Sequence, residues 1–324
     1  MCTAISFKTK DHYFGRTLDL EYHYNESVVI TPRNFPFKFT NQKENKNHCA
    51  IIGIATVIDS YPLYYEATNE AGLSIAGLNF PGNAVFHPVD EKKINVAPFE
   101  FIPYILTQCA TVPEAKTLLK KINITDINFH PDLKASPLHW MISDKDESIT
   151  VESVKDGLKV YSNPVGVLTN NPPFDWHITN LANYINLTAE EPENTFVPSA
   201  DIRTFSKGMG AVGLPGDLSS ASRFVRAVFT KSNSVCGESE EESVSQFFHI
   251  LGAVEHTKGA VHLGDGKYEI TVYTSCCNTD KGIFYYTTYE NSQICAVDMY
   301  KENLDSDKLS EYPLKTEPCI NHIN

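Results

Sequence analysis

Short alternating or apolar segments, separated by tight turns, follow one another at both ends of this 324-residue chain. In the first third they predict strands at Cys2–Phe7, Tyr13–Leu18, Ser27–Thr31, Ala50–Val57, Pro62–Ala67 and Leu73–Asn79. Turn signals such as Pro32-Arg33-Asn34 separate these segments. Because consecutive strands joined by tight turns pair antiparallel, this order favours antiparallel sheets over a parallel sheet.

Helical periodicity is confined to the middle of the chain. It predicts helices at Phe99–Gln108, Val112–Ile122, Ser219–Thr230 and Glu240–Val254, with Ser219 or Ser220 as N-cap of the third. Strands are predicted again at Leu138–Ile142, Ser148–Val154, Gly157–Tyr161, Val165–Thr169, Tyr268–Ser275, Ile283–Tyr289 and Gln293–Met299. The predicted class is α+β. Without a linker-like stretch we expect one domain over residues 1–324, with Thr188–Asp201 as a long excursion.

Composition excludes several classes of function. The net charge is −13, from 40 acidic and 27 basic residues, which argues against binding to nucleic acid or to an anionic membrane surface. The longest apolar run, Cys49 to Ile58, is about half the ~20 residues of a membrane-spanning helix, and no signal peptide is visible. The eight cysteines are scattered without zinc-ligand spacing. We therefore expect a cytoplasmic protein without a metal or cofactor.

One glycine motif is better explained as a loop. Residues Gly208 to Gly213 match the dinucleotide pattern G-x-G-x-x-G, which requires a strand before it and a helix that begins at its last glycines. Here Leu214-Pro215-Gly216-Asp217 follows, so the chain turns again. The eleven histidines also lack metal-ligand spacing. We predict a Gly-rich loop at this place.

The second residue is the strongest candidate for chemistry. A residue so close to the terminus is usually disordered, but Cys2 begins an alternating segment that should be fixed in a sheet. Removal of Met1 would leave Cys2 with a free α-amino group, whose usual pKa is about 7.7–8.0. That amine can serve as the base for the cysteine thiol. A nucleophile and its base would thus lie on one residue.

Charged and amide side chains are predicted close to this terminus. If the first two strands form a hairpin, Arg16 returns beside Cys2, where a guanidinium favours thiolate, and Asp19 could hold the amine. Asn79 and Asn170 each end an apolar strand, a position that suits donors aimed at an oxyanion. Strand-ending asparagines are also common turn residues, and the charges could be ordinary surface groups.

These residues lie in motifs that resemble the choloylglycine hydrolases, the bacterial bile salt hydrolases, whose relatives include the penicillin V acylases. The matching motifs are Met1-Cys2-Thr3, Gly15-Arg16-x-x-Asp19, Asn69-Glu70-x-Gly72-Leu73, Ala76-Gly77-Leu78-Asn79-Phe80, Leu138-His139-Trp140, Val167-Leu168-Thr169-Asn170, Gly213-Leu214-Pro215-Gly216-Asp217 and Ala221-Ser222-Arg223-Phe224. The motifs fall in order across nearly the whole chain. The resemblance implies an N-terminal nucleophile hydrolase fold, in which two stacked antiparallel sheets are flanked by helices as four αββα layers.

The resemblance also implies roles for individual residues. Cys2 would be the nucleophile, with Arg16, Asp19, Asn79, Asn170 and Arg223 as the other catalytic residues. Loops carrying Leu18, Tyr24, Ile58, Phe129, Leu133, Ser136 and Leu138 would line a substrate cleft, although core packing is the alternative for each. Thr17 stands where relatives more often carry Asn. It should face away from Arg16 with little effect.

The implied reaction is hydrolysis of glycine- or taurine-conjugated bile salts through a thioester on Cys2. Because these substrates are anions and the chain is acidic, we expect binding to depend on apolar burial and on Arg16 and Arg223. Relatives are often homotetramers, and Thr188–Asp201 is a candidate assembly element. Two alternatives stay open: a penicillin V acylase, which rates on both substrates would separate, and a non-enzymatic bile salt carrier, which would be indifferent to loss of Cys2.

Overall fold

Two large antiparallel sheets form the centre of the chain in a computed structural model, which describes residues 1–42 and 44–324. In chain order the strands are β1 (Cys2–Lys8), β2 (His12–Leu20), β3 (Ser27–Thr31), β4 (Ile51–Ile58), β5 (Tyr61–Asn69), β6 (Ser74–Asn79), β7 (Ile94–Val96), β8 (Ile122–Ile124), β9 (Leu138–Ser143), β10 (Ser148–Val154), β11 (Gly157–Ser162), β12 (Val167–Leu168), β13 (His262–Gly264), β14 (Lys267–Tyr268), β15 (Ile270–Asn278), β16 (Ile283–Thr288), β17 (Cys295–Asp298) and β18 (Ser310–Pro313). The α-helices are α1 (Phe101–Gln108), α2 (Val112–Leu119), α3 (Phe174–Asn180), α4 (Ser220–Ser232) and α5 (Glu240–Gly252).

The two sheets are stacked between two layers of helices. The first has six strands in the order β12-β1-β2-β15-β16-β17, and the second has eight in the order β11-β10-β9-β6-β5-β4-β3-β18. Helix α1 packs on β5 and β6 of the second sheet, whereas α4 packs on β1 and β12, and α5 on β2 and β15, of the first. The predicted α+β class and αββα layering are therefore confirmed.

Strand β1 lies inside the six-stranded sheet and is buried on both faces. It pairs antiparallel with β2 and with β12, and the register places Cys2 opposite Leu18 and Ala4 opposite Arg16. Because side chains alternate along a strand, Cys2 points toward the second sheet. Phe7 lies on the other face and packs edge-on against Phe247 of α5. The start of the chain is thus part of the core.

Gly15 allows strands β2 and β15 to approach closely. A Cβ atom at this position would lie 2.0 Å from the carbonyl oxygen of Ser275, which is too close for any side chain. The pairing of β2 with β15 also contains a register shift between Thr271 and Tyr273. The glycine that precedes Arg16 therefore has a packing role, and it fixes the strand that carries Arg16.

Several elements differ from the sequence prediction. The second helix ends at Leu119 instead of Ile122, because the β-branched Ile122–Ile124 segment forms a parallel bridge to β7. Helix α3 and the edge strand β18 were not predicted. Thr188–Asp201 contains no helix or strand, in agreement with an excursion.

The Gly208–Gly213 loop is confirmed as a turn region. Gly208 and Gly213 have φ of +81° and +100°, on either side of a single 3-10 turn, so no dinucleotide-binding helix begins there. Among residues 1–42 and 44–324, none of the helices has the length and apolar character that a membrane crossing needs.

Candidate active site

The backbone of Cys2 is held by two side chains from distant parts of the chain. Its N–H donates to Oδ1 of Asn170 at 2.9 Å, and its carbonyl oxygen accepts from Nη1 of Arg223 at 2.6 Å. Cys2 is 2% exposed, and its side chain lies at the wall of a cavity between the sheets. The nucleophile candidate is therefore rigidly placed, since both polar groups of its backbone are satisfied.

Arg223 joins Cys2 to Asn170. This fully buried residue on α4 donates from Nη2 to Oδ1 of Asn170 at 2.8 Å and from Nη1 to Oγ1 of Thr3 at 2.7 Å. Burial lowers the pKa of Arg223, although Asp19 opposes this effect. The N-cap Ser219, which accepts from the N–H of Ser222, fixes the first turn of α4. The first turn of α4 thus places the Arg223 guanidinium behind β1, where it donates hydrogen bonds to Cys2, Thr3 and Asn170.

Asn170 and Asn79 are in contact with each other. Nδ2 of Asn170 donates to the backbone carbonyl of Asn79 at 2.7 Å, while its Oδ1 accepts from Cys2 and Arg223. The backbone of Asn170 is fixed in turn by Ser220, whose hydroxyl accepts from the Asn170 N–H at 2.8 Å. The two asparagines predicted from sequence are brought together. In this geometry the side-chain oxygen of Asn170 faces the backbone nitrogen of Cys2.

Asp19 lies on the face of the sheet opposite to the Cys2 side chain. It accepts from the hydroxyls of Thr271 at 2.7 Å and Thr17 at 3.1 Å, and lies 4.0 Å from Nη1 of Arg223. His256 approaches to 3.8 Å, and burial lowers its pKa to about 4, so it is neutral at neutral pH. Thr17 faces away from Arg16 as expected. However, its hydroxyl donates a hydrogen bond to Asp19, so any effect of Thr17 would act through that carboxylate.

The amine of Met1 lies between Asp19 and Glu269. It donates to the backbone carbonyl of Asp19 at 2.5 Å and to the carboxylate of Glu269. Burial is the main cause that lowers the pKa of this amine below 8.0. The first residue of the chain is therefore anchored by a carboxylate, Glu269, that sequence reasoning did not identify.

Arg16 occupies the space between the sheets. Its Nη1 donates to the carbonyl oxygens of Gly77 at 2.5 Å and Tyr65 at 3.3 Å, and its Nε lies 3.8 Å from Oε2 of Glu66. Its Nη2 has no hydrogen-bond partner among the described residues. Arg16 and Cys2 line the same cavity, so a guanidinium with one unused donor belongs to the cavity wall.

A cavity of about 360 Å³ has Cys2 on its wall. It is mostly apolar and is lined by Cys2, Arg16, Leu18, Leu20, Tyr24, Thr56, Ile58, Leu63, Tyr64, Tyr65, Gly77, Asn79, Pro98, Phe99, Ile102, Phe129, Leu133, Lys134, Ala135, Ser136 and Leu138. All seven residues predicted to line a cleft are in this set. Their expected location on loops is wrong for Leu18, Ile58 and Leu138, which lie at or near the ends of strands.

The structure corrects one prediction about charge. Arg223 is absent from the cavity wall, because its guanidinium lies behind β1 and is fully buried there. The cationic side chains of the cavity are instead Arg16 and Lys134. Lys134 was missed because a lone lysine in a loop carries no pattern. Within the described part of the chain, no cluster of three or more His, Cys, Asp or Glu side chains could hold a metal ion.

A cysteine at the start of a core strand, inside an αββα sandwich, defines the class of N-terminal nucleophile hydrolases. The sequence profile of "Linear amide C-N hydrolases, choloylglycine hydrolase family" matches residues 2–312. The chain belongs to the choloylglycine hydrolase family.

Relatives and solved structures agree with this assignment. The chain is 54% identical over 324 residues to a bile salt hydrolase/transferase of Lactiplantibacillus plantarum and 40% identical over 329 residues to one of Clostridium perfringens, each match covering all of both chains. A variant of conjugated bile acid hydrolase from Clostridium perfringens superposes with a TM-score of 0.93 over the full length of both, at 40% identity. Penicillin V acylase from Agrobacterium tumefaciens shares the fold, with a TM-score of 0.74, 18% identity and coverage of 96% of this chain and 90% of that one.

Proposed function

We propose that this chain hydrolyses the amide bond of bile salts conjugated to glycine or taurine, through a thioester on Cys2 after removal of Met1. The observation that carries the proposal is the apolar cavity that has Cys2, Arg16 and Asn79 on its wall. A rigid steroid requires such an apolar cleft with few polar contacts. The names of the relatives from Lactiplantibacillus plantarum and Clostridium perfringens support the same substrate class.

In the proposed mechanism the α-amine of Cys2 accepts the thiol proton, and sulfur attacks the amide carbonyl carbon. The oxyanion accepts hydrogen bonds from the side chain of Asn79 and from Nη2 of Arg16, which has no partner in the described part of the chain. Asn170 holds the amine through Oδ1, since that oxygen already accepts from the Cys2 nitrogen. Arg223 and Asp19 fix this arrangement from behind the strand.

Collapse of the tetrahedral intermediate breaks the carbon–nitrogen bond. The α-ammonium gives its proton to the departing glycine or taurine nitrogen, and the acyl group stays on sulfur as a thioester. Water then attacks the thioester carbon, the amine accepts a proton from that water, and the proton returns to sulfur as the free bile acid leaves. No cofactor takes part in these steps.

The experiment is a comparison of mature enzyme with Cys2→Ala. Mass spectrometry should show loss of Met1, and wild-type enzyme should release bile acid from taurocholate and glycocholate faster than it hydrolyses penicillin V. Cys2→Ala should lose activity, whereas the matched control Cys109→Ala, another buried cysteine, should keep it. Retention of Met1 in active enzyme, or full activity in Cys2→Ala, would contradict the mechanism. Faster turnover of penicillin V would favour the acylase alternative.

Assembly and cellular location belong to the same proposal. Residues 1–324 would form one catalytic domain, since β1 near one end and β18 near the other both belong to the stacked sheets. Phe196 in the Thr188–Asp201 excursion is 93% exposed, and Ile185 and Phe205, which flank the excursion, are 85% and 89% exposed. This apolar surface supports burial against other copies in a homotetramer. The eight free thiols suit a reducing cytoplasm, where fractionation should find the enzyme.

A further inference from the structure

A carboxylate lies in the apolar space between the two sheets. Glu66 is on β5, is 1% exposed, and has Ile54 and Ala76 as its neighbours on the adjacent strands. A charged group in such surroundings is costly unless other polar groups compensate it. The partners of Glu66 therefore show why the chain retains it.

Those partners come from the opposite sheet. The hydroxyl of Tyr273 on β15 donates to Oε2 of Glu66 at 2.7 Å, and Nε of Arg16 on β2 lies 3.8 Å from the same oxygen. Oε1 of Glu66 has no hydrogen-bond partner among the described residues. One carboxylate thus connects β5 of the second sheet to two strands of the first.

Arg16 depends on this carboxylate for its charge balance. Its three hydrogen bonds go to neutral carbonyl oxygens, those of Thr17, Tyr65 and Gly77. Glu66 is the carboxylate within ion-pair distance of its guanidinium in the described structure. Since Arg16 also lines the cavity with Cys2, any change in the charge of Glu66 alters the combined field of the two groups at the Cys2 sulfur.

We propose that Glu66 is a positioning residue for Arg16, a buried counter-charge that sets how strongly the guanidinium promotes ionisation of the Cys2 thiol. This inference rests on the proposed role of Cys2 as nucleophile. The ionisable and charged groups that act on Glu66 are Arg16, Tyr273 and, from the segment before β3, Glu26.

The charge of Glu66 changes across neutral pH. Burial raises its pKa to about 7, although Arg16 and Tyr273 oppose that shift. Below this value the protonated carboxyl leaves the Arg16 charge uncompensated, and above it the carboxylate offsets that charge. Removal of the carboxylate should therefore favour the Cys2 thiolate at and above neutral pH.

The test is the rate at which iodoacetamide alkylates Cys2 in the mature enzyme, followed by peptide mass spectrometry between pH 5 and 9. Glu66→Gln should alkylate about three- to tenfold faster at pH 7.5, with its rate profile displaced to lower pH. Tyr273→Phe, which removes the donor to the carboxylate and keeps the ring, should shift the profile in the same direction by less. Glu100→Gln, a buried acid bound to Thr40 on the far side of the second sheet, is the control and should match wild type.

Profiles of Glu66→Gln and Tyr273→Phe that superpose on wild type would overturn the proposal, and Tyr273→Phe alone decides it if Glu66→Gln does not fold. A lower melting temperature without a displaced profile would show a purely structural role and would also overturn it. The acid limb of kcat/KM on taurocholate should move with the alkylation profile. Because alkylation needs no substrate, its outcome is independent of whether Cys2→Ala abolishes hydrolysis.

Discussion

At the scale of single residues, the Cys2 terminus is held by acceptors and donors that each serve two partners. Oδ1 of Asn170 accepts from both Cys2 and Arg223, and Nη1 of Arg223 donates to both Cys2 and Thr3. Removal of one partner therefore leaves other buried polar groups unsatisfied, which costs more than the single lost bond.

Arg223→Lys should separate geometry from charge. A lysine keeps the positive charge but cannot span Cys2, Thr3 and Asn170 as the guanidinium does. We expect kcat on taurocholate to fall at least about 100-fold, as for loss of a preorganised electrostatic contact. Arg226→Lys on the same helix is the matched control, since Arg226 bonds to the carbonyl oxygens of Ala253, Pro215 and Asp217. Equal losses of kcat in both variants would contradict the assigned position of Arg223.

Part of this site could be predicted from local sequence alone. The hairpin of β1 and β2 brings Arg16 opposite Ala4, two residues from Cys2, and such local pairing follows from alternation and a tight turn. Arg223 contacts Cys2 across 221 residues, which no local pattern reports, and it was identified by family resemblance alone. Glu66 carried one overlooked signal, a charged residue in the interior of a predicted strand.

At the scale of elements, the two longest α-helices, which are equal in length, have different roles. Helices α4 and α5 both contain 13 residues and both begin with a serine N-cap, Ser219 and Ser239, and α5 adds a capping box through Glu242. Of the two, α4 carries Arg223 into the site, whereas α5 covers the first sheet. The same substitution at the two caps should therefore have different functional effects.

Ser239→Ala and Ser219→Ala test this difference. Each should destabilise the fold by about 1 kcal/mol, the usual cost of an N-cap. Ser219→Ala should also lower kcat a few-fold, because the first turn of α4 positions Arg223, while Ser239→Ala should leave kcat unchanged. Urea denaturation and steady-state rates give both quantities. Equal losses of kcat in the two variants would contradict the inference that the N-cap of α4 specifically positions the site.

Strands with clear alternation could be placed from sequence, and short irregular elements could not. Ser27–Thr31 and Ser148–Val154 have the bounds that were predicted. The edge strand β18 was missed because its Ser-Glu-Tyr-Pro sequence is polar and largely exposed, so tertiary pairing with β3 alone makes it a strand. The end of α2 was wrong for the same reason, since β8 exists through its pairing with β7.

At the scale of the whole molecule, acid should destabilise the fold. Burial lowers the pKa of His12, His177 and His256 to about 4, so the folded state binds fewer protons than the unfolded state between pH 4 and 6.5. Stability is then complete above pH 6.5 and is lost as pH falls toward 4. Glu66, whose pKa is raised to about 7, acts in the opposite direction over pH 4.5 to 7.

Because three histidines oppose Glu66, the net slope of stability against pH should be positive between pH 4.5 and 6.5. Urea midpoints across that range measure it. His12→Gln, which can keep the bonds to Ser6 and Thr279, should reduce the slope by about 1.4 kcal/mol per pH unit. A slope that does not change in His12→Gln would show that this histidine is not the source of acid sensitivity.

The exposed excursion, together with Phe205 just after it, should control assembly. Phe196→Ser together with Phe205→Ser removes apolar surface that is about nine-tenths exposed, so the isolated chain should lose little stability. Light scattering after size exclusion should show smaller assemblies than the wild type forms. Phe129→Ser, at the cavity, is the comparison and should leave the assembly intact. An unchanged mass for the double variant would assign assembly to another surface.

The enclosure of the chain's first peptide bond limits the time in which Met1 can be removed during synthesis. Asn170 and Arg223, which cover the Cys2 backbone, are translated 168 and 221 residues after it. At 5–20 residues per second, the terminus stays uncovered on the ribosome for roughly ten to forty seconds. An aminopeptidase must remove Met1 within that interval, so overproduction that exceeds its capacity should yield folded, unprocessed and inactive protein.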